Sequence, residues 1–173
     1  MICEEHKFLF IHIPKTAGTS IKNALPWCSS YFLHCPKHPK VRNYLFTHPQ
    51  LFKFTFVRNP YDRMVSYYHF FKKKPKSFVQ FVKTFHSRNK IEYKMLPYTK
   101  DDENNIAMDF VGRYETLQAD FDIVCDILNL PKTKLEFLNA TDHKHYREYY
   151  DDESYNIVSK LFAEDIKRFE YQF

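Results

Sequence analysis

The first apolar run of the chain, Phe8-Leu9-Phe10-Ile11-His12-Ile13, is short, continuous and β-prone, and it stops at Pro14. A strand buried on both faces of a parallel sheet has that pattern. Pro14 to Ser20 then form a turn, and Ser20 to Leu25 have the composition of a short helix that Pro26 must end. A second strand is predicted at Phe54-Thr55-Phe56-Val57. After Arg58, Asn59 is a good N-cap, Pro60 suits the first helical position and Asp62 falls in the acidic first turn, so a helix should run from Pro60 to about Lys72. Phe78, Phe81, Val82 and Phe85 recur at helical spacing, as do Leu117, Phe121, Val124, Cys125 and Leu128. A third strand is expected over 109–114. A last helix should begin near Asp151 or Asp152, with Ile157, Leu161, Phe162 and Ile166 on one side and Lys167 and Arg168 complementing its dipole.

Residues 26–52 are rich in Pro, His and aromatics without a clean period and are read as loops with short elements. Residues 86–107, of mixed charge and few aliphatics, are read as a surface excursion that forms part of a ligand-binding wall. Strands alternating with helices define the fold class. The expectation is an α/β domain, three-layered, with a mostly parallel central sheet and a P-loop-like phosphate-binding loop. Ligands of such sheets bind beyond the carboxyl ends of the strands.

The chain has 173 residues, of which 44% are hydrophobic, enough for one domain with a real core, so 1–173 is read as a single domain. The balance of 26 Lys+Arg against 21 Asp+Glu suits an anionic ligand but is too mild to indicate nucleic acid or a membrane surface. Cys3, Cys28, Cys35 and Cys125 form no C-x-x-C pair and are expected to remain thiols. No basic segment followed by an apolar run opens the chain, and no stretch approaches the roughly 20 apolar residues of a membrane span, so the expected setting is cytoplasmic. No His/Cys spacing matches a metal site.

The chemistry concentrates after the first strand. Pro14-Lys15-Thr16-Ala17-Gly18-Thr19-Ser20 places a lysine, a glycine and several hydroxyls where backbone N–H groups and side chains converge on a phosphate. The Walker pattern is absent, because the lysine precedes the glycine and no first glycine exists.

The segment His12-Ile13-Pro14-Lys15-Thr16-Ala17-Gly18-Thr19-Ser20 resembles the 5'-phosphosulfate loop of sulfotransferases that use PAPS (3'-phosphoadenosine 5'-phosphosulfate). Independently, Phe54 to Tyr68 resembles that family's 3'-phosphate segment, which implies that Arg58 and Ser66 bind the 3'-phosphate. Residues 109–115 and 145–150 are similar to stretches of the carbohydrate (type 2) branch. The resemblance implies an O-sulfotransferase that uses PAPS, releases PAP (3'-phosphoadenosine 5'-phosphate), needs no metal and acts on a hydroxylated acceptor such as a glycan or small glycoconjugate. Within it, Lys15 faces the bridging oxygen that gains charge as the S–O bond breaks, and the loop from Thr16 through Ala17, Gly18 and Thr19 to Ser20 holds the phosphosulfate. Arg113 and Tyr114 contribute a wall of the adenine slot, and Arg147 approaches the 3'-phosphate.

In-line transfer also needs a base for the acceptor hydroxyl, and a His of near-neutral pKa suits it. Among nine histidines, similarity to short family members ranks His38, in Lys37-His38, first and His48, in Thr47-His48-Pro49, second. His12 beside the loop is read as a satisfied, half-buried side chain. Asp62 and Arg63 are read as cap and salt-bridge partners, Lys72 to Lys76 as a solvated helix end, and the aromatics of 67–71 as core. Two other readings stay open. One is a phosphoryl-transfer enzyme that would need Mg²⁺ and an acid at a strand end, and the other is a non-catalytic binder of nucleotides or polyanions.

Overall fold

Four strands form one sheet in the order β1-β2-β3-β4: β1 (Ile2–Cys3), β2 (Phe8–Ile11), β3 (Phe52–Val57) and β4 (Phe110–Arg113). The computed structural model describes residues 1–25, 40–87, 93–136 and 144–173. β2, β3 and β4 are mutually parallel, with Phe8 opposite Phe52, Ile11 opposite Thr55 and Val57 opposite Arg113, while the short edge strand β1 is antiparallel to β2. This is the mostly parallel α/β sheet that the alternation of elements predicts.

The described chain gathers into two compact units, one of Met1–Val57 with Pro97–Leu138 and one of Arg58–Leu96 with Asn139–Phe173. In the first, alternation along the strands sends Phe8, Phe10, Phe54 and Phe56 to one face. They pack there with Ile21 and Ala24 of α1 (Gly18–Ala24) and with Phe121, Val124 and Cys125 of α5 (Leu117–Leu128). The Phe54 ring lies 5.6 Å from Phe8 and 5.1 Å from Phe10. On the opposite face Leu9, Ile11, Thr55 and Val57 are buried as well, and the Thr55 hydroxyl satisfies itself on the Ile11 carbonyl at 2.7 Å. A Cβ on Gly112 would run into the Phe56 ring, so glycine is what lets β4 lie against it. Burial pushes the Cys125 thiol up to about 11.

The second unit packs α2 (Pro60–Phe70), α3 (Phe78–Ser87), α6 (Asp152–Leu161) and α7 (Ala163–Arg168). Its core holds Met64, Val65, Phe78, Phe81, Val82, Phe85, Val158 and Phe162. The predicted start of α2 is realised: the Asn59 side chain accepts the Tyr61 N–H at 3.0 Å, and Pro60 leads the helix. Asp151 and Ser154 cap each other at the start of α6.

Several expectations are corrected. The final helix is not continuous, because the backbone turns at Phe162, which is buried in the core, and α7 starts anew. The stretch read as a surface excursion includes α4 (Leu96–Thr99), with Met95, Leu96, Tyr98 and Thr99 all buried. Its backbone is satisfied by a buried acid that the pattern did not flag: the Asp165 carboxylate accepts the N–H of Met95 at 2.8 Å and of Leu96 at 2.9 Å. Burial holds that carboxyl above its usual range. Arg63 is a core side chain only 1% exposed. It donates to the Tyr93 carbonyl at 2.6 Å and to the Tyr67 hydroxyl at 3.1 Å. In the aromatic run Tyr67 is core, but Phe70 is largely exposed. Lys72, Lys73 and Lys76 are solvated as expected, and the Lys74 ammonium sits 4.1 Å above the Tyr68 ring.

Among the described residues no helix is long and apolar enough to cross a membrane. None of them forms a group of three or more His, Cys, Asp or Glu that could hold a metal ion.

Candidate active site

Between β2 and α1 the chain takes an uncommon path. Lys15 and Ala17 both have left-handed backbones, with φ of 67° and 65°. Each such non-glycine residue costs about 1–2 kcal/mol. Strain of this kind gathers at functional sites and ligand clamps. Alternation of left- and right-handed residues is also the backbone shape that collects N–H groups into anion-binding concavities. The loop is braced from within, because the buried Thr16 hydroxyl donates to the Ile13 carbonyl at 2.9 Å and the Ile21 N–H returns to the Ala17 carbonyl at 3.2 Å. Gly18 and Ser20 are buried, Thr19 is exposed, and Lys15 and Ala17 are half-buried.

His12 closes the loop from the strand side. Its ring stacks on Phe10 at 6.1 Å and occupies the space that a Cβ on Gly18 would need. Gly18 does not have a positive φ, so room rather than backbone freedom requires glycine there. No sequence period links His12 to Gly18.

Parallel pairing determines which predicted residues share a sheet end. Since β2, β3 and β4 run the same way, the Lys15 loop after β2 and the turn Tyr114–Thr116 after β4 leave the same, carboxyl end. Arg113, the last residue of β4, is half-buried. Its N–H donates to Asp120 at 2.6 Å, and the Thr116 hydroxyl donates to the same carboxylate oxygen at 2.9 Å. Asp120 thereby fixes the turn that carries Tyr114.

His48 is not brought to this end. It lies ahead of β3, where its Nδ1 meets the Thr47 hydroxyl at 2.7 Å and its Nε2 approaches Glu4 at 3.6 Å, and Glu4 belongs to the turn that precedes β2. His48 therefore sits at the amino end of the sheet, a strand length of about 10 Å or more from the Lys15 loop. The signal was present in the sequence: a residue just ahead of a parallel strand falls at the end opposite the residues just behind it. His38, with Lys37, lies outside the described residues.

The second unit presents its own group. Arg58, the residue that follows β3, is only 8% exposed, and its Nε donates to Asp62 Oδ2 at 2.8 Å. Its backbone N–H points to Met95 Sδ at 3.5 Å. Ser66 is buried on α2, and the spacing of four from Asp62 to Ser66 puts both on one helix stripe. Arg147 is exposed on the turn Tyr146–Tyr149, donates to the Phe173 carbonyl at 2.6 Å and rests 5.5 Å from the Phe173 ring.

A parallel α/β sheet whose strands end in a lysine- and hydroxyl-bearing loop belongs to the class of folds that handle ligands beyond the strand ends. A family model described as "Sulfotransferase family" matches residues 1–172, and the chain belongs to that family, in its carbohydrate (type 2) branch. Its chemistry is that of an O-sulfotransferase, sulfuryl transfer to a hydroxylated acceptor. No curated protein and no solved structure matches the chain.

Proposed function

We propose that this sulfotransferase takes its sulfuryl group from PAPS and passes it to a carbohydrate hydroxyl, with a histidine as base. The observation that carries the reading is the pair of strand ends. The left-handed, internally braced loop of Lys15 and Ala17 leaves β2, and Arg58 is the next residue after β3, the parallel neighbour of β2. A donor with two anionic ends has a candidate partner for each. Lys15, Thr19, Ser20 and the loop backbone would take the phosphosulfate, and the guanidinium of Arg58 with the Ser66 hydroxyl would take the 3'-phosphate. Arg113 and Tyr114 would line the adenine, and Arg147, whose Nη2 donates to the Phe173 carbonyl, would offer its other N–H groups to the 3'-phosphate. PAPS would supply the activated sulfuryl group.

Lys15 places a positive charge where the leaving oxygen gains negative charge, an interaction that strengthens toward the transition state. Arg58 and Ser66 bind a part of the donor remote from the reacting sulfur and so orient it. His38 is the assigned base. His48, at the other end of the sheet, is not.

The test is transfer of label from ³⁵S-PAPS to a panel of glycans, lipids and phenols. Lys15→Ala should lower kcat by at least about a hundredfold, matching the 2.7–4 kcal/mol typical of a lost transition-state donor. Arg58→Ala should mainly weaken PAP binding. His48→Ala should retain turnover and His38→Ala should lose it. Mg²⁺-dependent ATP turnover, or PAP binding without transfer to any acceptor class, would reject the proposal.

A further inference from the structure

We propose that Asp62 is a positioning residue of the donor site, holding Arg58 so that the Nη edge of its guanidinium meets the 3'-phosphate. The inference rests on the reading above, in which Arg58 binds that phosphate. Asn59 caps α2 and Pro60 begins it, so Asp62 is the third helical residue. An acid at that position commonly reaches back to the backbone N–H of the cap. Here Asp62 Oδ2 accepts from Arg58 Nε at 2.8 Å. The two side chains are only 8% and 17% exposed, so the pair is screened far less than a surface ion pair. The positive end of the α2 dipole favours a carboxylate in this first turn.

The chemical consequence concerns orientation. A guanidinium presents its N–H groups in a rigid plane. With Nε committed to Asp62, that plane is set, and a bidentate grip on a phosphate falls to the Nη1 and Nη2 edge. Asp62 also lies between Arg58 and Ser66 in the chain, four residues from each, so a carboxylate stands amid the two groups assigned to the phosphate. By charge alone it would repel a phosphate dianion. Orientation and charge therefore predict opposite signs for its removal, which makes the inference decidable.

The experiment measures, by calorimetry on the full chain, the affinity for PAP and for 5'-AMP, which lacks the 3'-phosphate. The variants are Asp62→Ala, Asp62→Asn, Arg58→Ala and the double Arg58→Ala/Asp62→Ala. Asp62→Ala should weaken PAP about tenfold, leave 5'-AMP affinity unchanged, and add nothing once Arg58 is alanine. In turnover, donor KM should rise more than kcat falls. Asp62→Asn keeps an acceptor oxygen without the charge and should weaken PAP in the same direction by a smaller factor, which decides the matter if the alanine variant does not fold. Tighter PAP binding in either variant, an equal loss for 5'-AMP, or additive losses in the double variant would overturn the inference. Weaker PAP binding in Arg58→Ala with none in Asp62→Ala removes this inference alone. Unchanged PAP affinity in Arg58→Ala removes both it and the reading of Arg58.

Discussion

Replacing Gly18 with alanine adds a single methyl group to the most constrained point of the Lys15 loop. The Cβ would be built into the His12 imidazole, at Cδ2, Nε2 and Cγ, a separation that side chains do not adopt, so something must move. The ring is not a flexible tip. It is backed by Phe10 in a stacked arrangement, and Phe10 is itself fully buried beside Phe54. The loop is braced on its other side by the Thr16 to Ile13 hydrogen bond. Overpacking at such a site costs about 1–3 kcal/mol. In a chain of 173 residues each kcal/mol lowers Tm by about 2–4 °C, so a fall of roughly 2–12 °C is expected. Because the displaced element carries Lys15, turnover should fall by about a hundredfold, the cost of a 1 Å misplacement. Thermal melts and donor kinetics on Gly18→Ala, His12→Ala and the double variant provide the assay. Removing the ring empties the space the methyl needs, so the double variant should be more stable than the sum of the two single losses predicts. Wild-type Tm and turnover in Gly18→Ala, or strictly additive losses in the pair, would refute the reasoning.

Two further predictions concern buried groups. Asp165→Ala leaves the Met95 and Leu96 N–H groups without their acceptor and should cost about 2–5 kcal/mol. Since burial raises the folded-state pKa of Asp165 above its ordinary 3.8, the proton stabilises the fold; that contribution is complete below 3.8 and is lost as pH rises through the raised value. The Tm advantage of the natural chain over Asp165→Ala should therefore shrink from about pH 4 to pH 7, and an advantage that grows with pH would contradict the assignment. The Cys125 thiol, fully buried and pushed up to about 11, should resist iodoacetamide in the native protein at pH near 8 and react only on denaturation, as peptide-level mass spectrometry would show. Rapid native labelling would mean that α5 opens readily.

The extent to which the fold was readable follows from the range of the forces involved. The β2 run, the Asn59-Pro60 start of α2 and the apolar stripe of α5 are local patterns, and each became the element it predicts. Amphipathic period and capping act within a few residues, which is why sequence alone suffices for them. The buried course of Met95 to Thr99 was misread for the opposite reason. Its backbone is held by Asp165, 69 or 70 residues away in the chain, and no local pattern encodes such a partner.

For the site, the sequence by itself determined which residues are available: a lysine and hydroxyls behind one strand, an arginine behind the next, and a match of family character along nearly the whole chain. Tertiary structure decided what they do with one another. Parallel pairing put His48 at the sheet end opposite Lys15, the packing of His12 made Gly18 obligatory, and burial took the Arg58–Asp62 pair, four residues apart in the chain, out of the solvent. The physical reason is that a residue's type and neighbours along the chain set its chemistry, whereas its orientation, solvation and partners are set by contacts that exist only once the chain is packed.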